Sequence, residues 1–478
     1  MPFPSLETLF TMHAPSNLRA PSSSLALGLA RFARGLTLES MPAAVREKSL
    51  LHIIDAIGLG IAAHQFDFSG PGLAGIRAAG APGEATVIGG GPALQARDAA
   101  MANGYLMHGL DFDDTHPGAI VHPTVACLPA ALALGETRGM RWGELLTAYA
   151  VGMEAAIRLG QSVKGGFHQG GYHATGVVSH FSSALVAGKL LGLTEEQLVA
   201  AQGIAASTAS GVQVFLEDGA WTKRLHPGWG AFAGITAAQM AHAGFFGPRR
   251  PYEGQFGLYE THMQARADQV DADSVISALG HEWTLLETSI KPYPVCHFIH
   301  GCAEAALRIQ AGIQDAGRIR SVECELPAAT LPIVAEPAHI KTRPRSDYDA
   351  KFSVQFVVAA CLALGRFTLQ ELAPARLADP ALLSLAGRTT CRVQEVTAFP
   401  KYFSGAVTVT LHDGTQIREE VLVNLGSGDR ALAQADIVEK FRANAGLTLP
   451  QVRTTLILDA FLSAEPSTPV RDLTKLLG

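Results

Sequence analysis

The sequence has few of the features that mark membrane-bound, secreted or nucleic-acid-binding proteins. It contains no run of 18 or more apolar residues, so no transmembrane helix is predicted. Its N-terminal stretch has neither a basic segment nor a long apolar segment, which argues against a signal peptide and favours a loosely ordered arm over residues 1–24. The net charge is −6 and basic runs are missing, so we expect neither nucleic-acid nor membrane partners.

Cysteine is also scarce, with six residues in 478 and no CxxC pair, which favours reduced thiols in a cytoplasm over a disulfide framework. Several motifs of enzyme chemistry are missing as well. The chain has no G-x-S-x-G elbow, no P-loop, no Rossmann fingerprint and no HExxH zinc motif. Covalent nucleophile and nucleotide chemistry are therefore not expected. The function must be carried by polar side chains dispersed along the chain.

What the chain does have is length and apolar surface. Its hydrophobic content of 48% and its mean hydropathy of +0.19 allow large cores and a subunit interface, and 478 residues predict two domains. Helical periodicity in Ala-rich and Gly-rich segments dominates residues 25–270 and indicates a bundle of antiparallel helices. Strand patterns mix with helices over residues 271–430, where Asp413-Gly414 marks a hairpin. Helical patterns return over residues 431–478.

These patterns predict a mainly α fold with an α+β part, in which the last helices return to the first domain. The predicted elements that matter below are the helices Val125–Glu136, Trp142–Val163, Ala174–Leu191, Pro227–Ala243 and Ala350–Leu364, and the strands Ile319–Leu326 and Cys391–Ala398.

The densest group of titratable residues is HGLDFDDTHPGAIVHPT, residues 108–124, which contains proline and glycine and so bends between two predicted helices. Three interpretations are open: a metal site, a polar corner that caps helices, and an acid/base site without metal. The missing zinc motifs favour the last of them. The residues available for such chemistry are His108, Asp111, Asp113, Asp114, Thr115, His116 and His122.

Two further segments could contribute a base and cations. In GGFHQGGYHATGVVSH, residues 165–180, His173 directly precedes a predicted helix, whose N-terminus would keep the imidazole neutral and suited to act as a general base. In TKRLHP, residues 222–227, Lys223 and His226 suit a carboxylate-rich ligand. A loop histidine and a basic surface turn are the alternatives.

Two later segments carry weaker signals. KPYPVCHFIHGC, residues 291–302, places Lys291 and Cys296 on a rigid turn, with a zinc site as a less favoured alternative. KTRPRSDYDAK, residues 341–351, offers Arg343 and Arg345 as a carboxylate fork, although a solvated loop is the favoured interpretation. Taken together, the histidines, acids and cations suit proton transfer on a polycarboxylate.

In this order, the segments HGLDFDDTHPGAIVHP, YHATGVVSHFSSALVAGKLLGL, WTKRLHPGWGAFAG, KPYPVCHFIHGC and RPRSDYDAKFS resemble the MmgE/PrpD family over essentially the whole chain. That family includes 2-methylcitrate dehydratases, cis-aconitate decarboxylases and iminodisuccinate epimerases. The resemblance implies a large all-helical domain (residues 25–270 and 431–478) and a smaller inserted α+β lid domain (residues 271–430). It also implies a site in the cleft between them, a homodimer, and chemistry without metal or cofactor.

Matching the family's motifs residue by residue implies that Asp111, Thr115, His122, His173, Lys223, His226 and Lys291 line the pocket. We expect Asp111, His122, His173 and Lys223 to be catalytic. We expect Thr115, His226 and Lys291 to bind substrate, together with Cys296 and Arg343, which come from their own segments. In the decarboxylase branch a histidine stands where this chain has Cys296, and a pocket tyrosine falls near Ile340, so decarboxylation is the less expected reaction.

The resulting expectation is a metal-independent hydro-lyase that dehydrates a hydroxy-tricarboxylate of the 2-methylcitrate type. An epimerase or isomerase of a related acid such as iminodisuccinate is the alternative, because both reactions begin with removal of a proton beside a carboxylate. A cis-aconitate decarboxylase is less expected. The non-enzyme alternative is a dimer that binds small acids.

Overall fold

The structure is a computed structural model that describes residue 18, residues 23–313 and residues 315–478. The predicted N-terminal arm, residues 1–24, lies outside the described residues except for residues 18, 23 and 24.

Most of the described chain is helical, and short 3₁₀ turns join several of the elements. The α-helices are α1 (Leu25–Gly35), α2 (Ala43–Ala62), α3 (Ser69–Ala79), α4 (Ala96–His108), α5 (Pro123–Thr137), α6 (Trp142–Ser162), α7 (Gly166–Gln169), α8 (Ala174–Leu190), α9 (Glu195–Ala206), α10 (Phe215–Asp218), α11 (Thr222–His242), α12 (Leu258–Met263), α13 (His300–Ile313), α14 (Leu331–Val334), α15 (Ala338–Lys341), α16 (Asp347–Lys351), α17 (Val354–Leu364), α18 (Pro374–Leu377), α19 (Pro380–Ala386), α20 (Gln434–Ala445), α21 (Gln451–Leu462) and α22 (Val470–Thr474). The strands are β1 (Pro82–Ala85), β2 (Ile319–Leu326), β3 (Thr389–Val393), β4 (Gly405–Leu411) and β5 (Gln416–Val421).

The core of the helical part is built around α8, which packs against α5, α6, α9 and α11. Close approach depends on small residues: a Cβ added at Gly230 of α11 would lie 2.4 Å from Cβ of Ser179 in α8. Likewise, a Cβ added at Gly104 of α4 would lie 2.7 Å from Cα of Gly228 in α11. The Gly-rich composition that predicted close helix packing therefore acts at these contacts. Near the C-terminus, α20 packs against α2.

The α+β part contains one four-stranded sheet with the order β3-β2-β4-β5. Strand β2 runs parallel to β3 and antiparallel to β4, and β4 and β5 form the predicted antiparallel hairpin. Its turn is confirmed at Asp413-Gly414, where Gly414 has φ +89°, a value that glycine adopts without strain. Helix α13 packs on β4 and β5 and on α17. This arrangement confirms the predicted mainly α fold with an α+β part.

The predicted elements differ from the structure mainly at their ends. Helix α11 begins at Thr222, so the prediction that Pro227 opens it was wrong. The predicted helix Ala350–Leu364 is two helices, because the Ser353 hydroxyl accepts from the N–H of Phe356 and starts α17 anew. The strand predicted over residues 391–398 is displaced towards the N-terminus and ends at Val393. By contrast, β2 matches its predicted range.

No single helix among the described residues is both long and apolar enough to cross a membrane. The segments 43–65 and 69–79 pass that test only when taken together, with a bend of 101° between them.

Candidate active site

A cavity of about 530 Å³ lies where the helical part meets the α+β part. Seven of the nine predicted site residues line it: Asp111, Thr115, His122, His173, Lys223, Lys291 and Cys296. His226 does not line the cavity, but it is in contact with His173, which does. Arg343 is exposed and does not line the cavity, so the expected carboxylate fork does not form there. The structure therefore brings together segments as far apart as residues 111 and 296.

Asp111 is held between two lysines at the floor of the cavity. Lys223 Nζ donates to Asp111 Oδ2 at 2.7 Å, and Lys291 Nζ donates to Oδ1 at 2.9 Å and to the Asp111 carbonyl at 2.8 Å. Burial raises the pKa of the Asp111 carboxyl, but the two ammonium groups outweigh it and hold that pKa well below its usual range. The backbone of Asp111 has φ +51°, a conformation that aspartate tolerates better than most residues. Together, Asp111, Lys223 and Lys291 carry one negative and two positive charges.

Three helices begin at the cavity. His122 directly precedes α5, His173 directly precedes α8, and Lys223 lies in the first turn of α11. A helix N-terminus presents unpaired backbone N–H groups and a partial positive charge. Together with the lysines, these three ends make the floor of the cavity a place for negative charge.

A buried carboxylate connects two histidines beside this floor. Asp113 Oδ2 lies 2.8 Å from Nδ1 of His108 and 3.2 Å from Nδ1 of His122. Because a carboxylate only accepts hydrogen bonds, both imidazoles carry their proton on Nδ1 when they are neutral. The Nε2 atom of His122 is then free for a ligand, at 3.7 Å from Asp111 Oδ1. His108 is completely buried and supports this arrangement.

His173 and His226 form a second pair, with their Nδ1 atoms 3.0 Å apart. Burial, the nearby Lys223 ammonium and His226 all lower the pKa of His173, which lies well below its usual value. The pKa of His226 falls to about 4, mainly through burial. Both lowered pKa values favour the neutral imidazole at physiological pH, and their main cause is burial rather than the helix N-terminus that the sequence suggested.

The remaining polar residues of segment 108–124 have structural roles. Asp114 Oδ2 lies 2.6 Å from Nδ1 of His52 and accepts from the Thr124 hydroxyl at 2.5 Å. His116 Nδ1 accepts from the N–H of Ala119 at 3.1 Å. Thr115 differs, because its buried hydroxyl has no hydrogen-bond partner among the described residues and the residue lines the cavity. The polar-corner interpretation thus holds for Asp114 and His116, whereas Thr115 is available to a ligand.

Two groups of three side chains in the described part of the chain have ligand atoms close enough to hold a metal ion. They are His108, His122 and His173, and Asp111, Asp113 and His122, with ligand atoms within 4.8 Å of one another. Both oxygens of Asp111 already accept from ammonium groups, and Asp113 already binds two imidazoles. A cation would lie beside the charges of Lys223 and Lys291, so the electrostatics here favour an anion.

Several lining residues were not among the sequence predictions. His168 and His297 were visible inside segments already singled out, and burial lowers the pKa of His168 to about 4. Four phenylalanines also line the cavity, and two of them lie inside segments quoted above: Phe298 in KPYPVCHFIHGC and Phe352 in RPRSDYDAKFS. The ring of Phe352 lies 5.8 Å from Nζ of Lys223. We call the other three, Phe298, Phe399 and Phe403, the phenyl wall.

Comparison of the sequence with known proteins identifies a family for this chain. The model of the MmgE/PrpD N-terminal domain matches residues 28–285, and that of the MmgE/PrpD C-terminal domain matches residues 293–464. A cis-aconitate decarboxylase-like protein of Aspergillus oryzae is 25% identical over 96% of this chain and 98% of its own length. The cis-aconitate decarboxylase of Aspergillus terreus is 26% identical over 94% and 95% of the two chains.

A third relative, the 2-methylcitrate dehydratase of Cupriavidus necator, is 26% identical over 63% of each chain. The two domain models together span nearly all of the described chain, in the order that the sequence motifs indicated. The chain therefore belongs to the MmgE/PrpD family.

Proposed function

We propose that this protein is a metal-independent lyase that removes water from a hydroxy-tricarboxylate of the 2-methylcitrate type. The observation that carries the proposal is the cavity floor, where two lysine ammonium groups and three helix N-termini lie beside two histidines of different surroundings. The relatives support the lyase class, because decarboxylases and dehydratases are both lyases.

The floor is suited to bind substrate carboxylates and to stabilise the charge of the transition state. Removal of a proton beside a carboxylate spreads negative charge onto the carboxylate oxygens, as in an enediolate. Lys223, Lys291 and the helix N-terminus that begins α8 supply fixed positive charge there, and the buried setting strengthens it. The free hydroxyl of Thr115 adds a donor.

His173 is suited to be the base, because its lowered pKa keeps it unprotonated. In the hydrogen bond with His226, we assign the proton to Nδ1 of His173, which donates to Nδ1 of His226. Nε2 of His173 then presents a lone pair for the C–H proton. His226 acts as a positioning residue for this tautomer.

His122 is suited to be the acid. Its Nδ1 lies 3.2 Å from Oδ2 of Asp113, whose negative charge stabilises an imidazolium in the way that the aspartate of a catalytic triad does. In the proposed step, His173 takes the proton beside the carboxylate, and the electron pair forms the C=C bond. The C–O bond breaks, and the hydroxyl leaves as water with a proton from His122.

Decarboxylation of a cis-aconitate-type acid is the second candidate, because two relatives that match almost the whole chain carry that activity in their names. It would use the same floor but end with loss of CO₂. Cys296 lines the cavity where a histidine was expected for that reaction, and burial raises the pKa of its thiol to about 11, so it is a poor proton donor. This residue favours dehydration.

The direct test is an absorbance assay of EDTA-treated protein with 2-methylcitrate, which follows the C=C bond of the product. We expect turnover, with the acid-side fall of kcat/KM lying well below pH 6.5, the usual value for histidine, because burial and the nearby Lys223 ammonium lower the pKa of His173. A protein that binds 2-methylcitrate but produces no absorbance between pH 5 and pH 9 would overturn the proposed reaction and leave the small-acid-binding alternative.

A further inference from the structure

We propose that the substrate of this site carries an apolar substituent larger than a methyl group, which lies against the phenyl wall while its carboxylates lie on the lysine floor. The inference rests on the proposed function, because it names the class of acid that the same cavity accepts. It comes from the presence of a charged cluster and a cluster of phenyl rings in one cavity.

Three charged groups of the cavity form one cluster. Asp111, Lys223 and Lys291 are joined by short ion pairs, and His122 lies next to them. A tricarboxylate with a methyl group satisfies this cluster, because nearly all of its surface is polar. Its single methyl group is too small to cover the three rings of the phenyl wall.

The phenyl wall is a continuous apolar surface. The ring of Phe298 lies 5.9 Å from that of Phe399 and 5.5 Å from that of Phe403, and the last two rings are 6.3 Å apart. These spacings are those of aromatic pairs in contact. Phe298 and Phe399 are only half-buried, so part of each ring faces the cavity. Apolar surface left in contact with water is unfavourable unless a ligand covers it.

Two exposed apolar side chains also line the cavity. Leu216 and Ile333 are 47% and 37% exposed, and together with Phe352 they also line a neighbouring cavity of about 320 Å³, whose other lining residues include six charged ones. Exposed apolar residues that adjoin a cavity mark binding surface more often than isolated ones do. An extended substituent thus has further apolar side chains to contact beside the phenyl wall.

The size of the cavity agrees with an extended substituent. Its volume of about 530 Å³ lies within the range of roughly 300–1,000 Å³ that is typical of sites for drug-sized ligands. A small tricarboxylic acid would leave the phenyl wall in contact with water. An alkyl or aryl chain of several carbons would cover the wall.

Binding of 2-alkylsuccinates tests the inference, because these acids lack the hydroxyl group and cannot be dehydrated. Calorimetry would compare the methyl, ethyl, butyl and hexyl acids with the wild-type protein. We expect Kd to fall with each added methylene by a factor of up to about four, since burial of one methylene contributes about 0.8 kcal/mol. A Kd that does not change along the series would overturn the inference.

Variants of the phenyl wall and of the lysine floor should separate the contributions of these two groups to binding. Phe298→Ala and the exposed-rim variant Ile333→Ser should reduce the dependence of Kd on chain length, and the second variant avoids any loss of core packing. Lys223→Ala should weaken all four acids by a similar factor. Phe246→Ala is the matched control, because this phenylalanine is 75% exposed and does not line the cavity. A chain-length dependence that survives in both Phe298→Ala and Ile333→Ser would contradict the assignment of the wall.

The outcome is independent of the proposed reaction. If 2-methylcitrate is dehydrated but Kd does not change along the alkyl series, the inference fails and the hydro-lyase stands. If Kd falls along the series but neither 2-methylcitrate nor a 2-alkylcitrate is dehydrated, the apolar subsite stands and the hydro-lyase fails.

Discussion

Asp111 determines the charge balance of the site at the scale of a single residue. Its carboxylate is the direct partner of Lys223 and Lys291, whose side chains are less than a tenth exposed. Desolvation of an ammonium group is costly, and a buried ion pair offsets that cost only while both partners are charged. Asp111 therefore stabilises the lysines in the positions in which they face a substrate.

Replacement of this carboxylate should be strongly destabilising. We expect Asp111→Asn to lower the free energy of unfolding by about 3–5 kcal/mol, because two buried ammonium groups lose their counter-charge. Urea denaturation measures the effect. Glu287→Gln is a matched control, since its side chain is 72% exposed and should change stability by less than about 0.5 kcal/mol. A loss below 1 kcal/mol for Asp111→Asn would contradict the assigned charge balance.

The two proposed proton-transfer residues should matter for turnover more than for folding. We expect His122→Ala and His173→Ala to reduce kcat by about 10²–10⁴-fold, as removal of an acid or a base does, and to retain the wild-type circular dichroism spectrum. His242→Ala, at an exposed position at the end of α11, should keep wild-type activity. Wild-type rates in both site variants would remove these histidines from the mechanism.

At the residue scale, the sequence predicted which residues line the cavity better than it predicted their contacts. Local motifs identified Asp111, His122, His173 and Lys223, because titratable residues beside glycine and proline stand out in an apolar chain. The partnership of Asp111 with Lys291 crosses 180 positions, and no local pattern encodes it. Arg343 shows the opposite error: its charge suggested a carboxylate ligand, but the loop that carries it leaves the side chain exposed.

At the scale of elements, the site depends on how closely α8 and α11 approach each other. His173 precedes α8 and Lys223 belongs to α11, so the contact between the helices sets the distance between base and floor. Gly230 allows this contact, since an added Cβ would lie 2.4 Å from Cβ of Ser179 and 3.0 Å from its carbonyl carbon. A side chain there must push the helices apart.

We therefore expect Gly230→Ala to lower the free energy of unfolding by about 1–3 kcal/mol, as overpacking does, and to reduce turnover. Thermal denaturation and the absorbance assay would measure the two effects. Gly75→Ala in α3 is the matched control, because its added Cβ meets no atom within 4 Å and the change should stabilise the helix by about 0.5–1 kcal/mol. Equal stability of the two variants would contradict the tight contact.

Periodicity predicted the elements well where local and tertiary preferences agree, as in α5, α6 and α8. The start of α11 was missed because a proline usually marks a first helical turn, whereas here Pro227 lies inside the helix. The turn before it is held by tertiary contacts: Arg224 donates to the Gly109 carbonyl and to Asp347. Such contacts with distant residues are not visible in a local pattern.

At the scale of the whole molecule, buried neutral histidines make stability depend on pH. Burial lowers the pKa of His108, His116 and His180 to about 4, although all three have partners that oppose the shift. In the unfolded chain these groups bind protons near pH 6.5, whereas in the folded protein they do not until about pH 4. Stability is therefore fully present above pH 6.5 and is lost as the pH falls through this window.

We expect the free energy of unfolding to fall between pH 6.5 and pH 4, with each such histidine contributing up to about 1.4 kcal/mol per pH unit. Urea denaturation at several pH values would show the slope. His180→Gln should have a shallower slope than the wild type, whereas His242→Gln, at an exposed position, should not. Stability that does not change over this range would contradict the neutral state of these histidines.

The largest-scale expectations go beyond what a single chain describes. The ranges of the helical domain and the lid stay predictions, as does the homodimer, which sedimentation would detect at twice the chain's 50.3 kDa. The overall class could be predicted because composition and periodicity change together near residue 270. The phenyl wall could not be predicted, because phenylalanines far apart in sequence look like ordinary core residues.

The central claim is that this cavity removes water from a hydroxy-tricarboxylate without a metal ion. Proton NMR of 2-methylcitrate incubated in D₂O with EDTA-treated protein tests it most directly, because it distinguishes dehydration, epimerisation and decarboxylation in one sample. We predict an unsaturated tricarboxylate that keeps all three carboxylates, and no such product with His173→Ala. An unchanged substrate, a substrate that only gains deuterium, or a product that has lost CO₂ would contradict the claim.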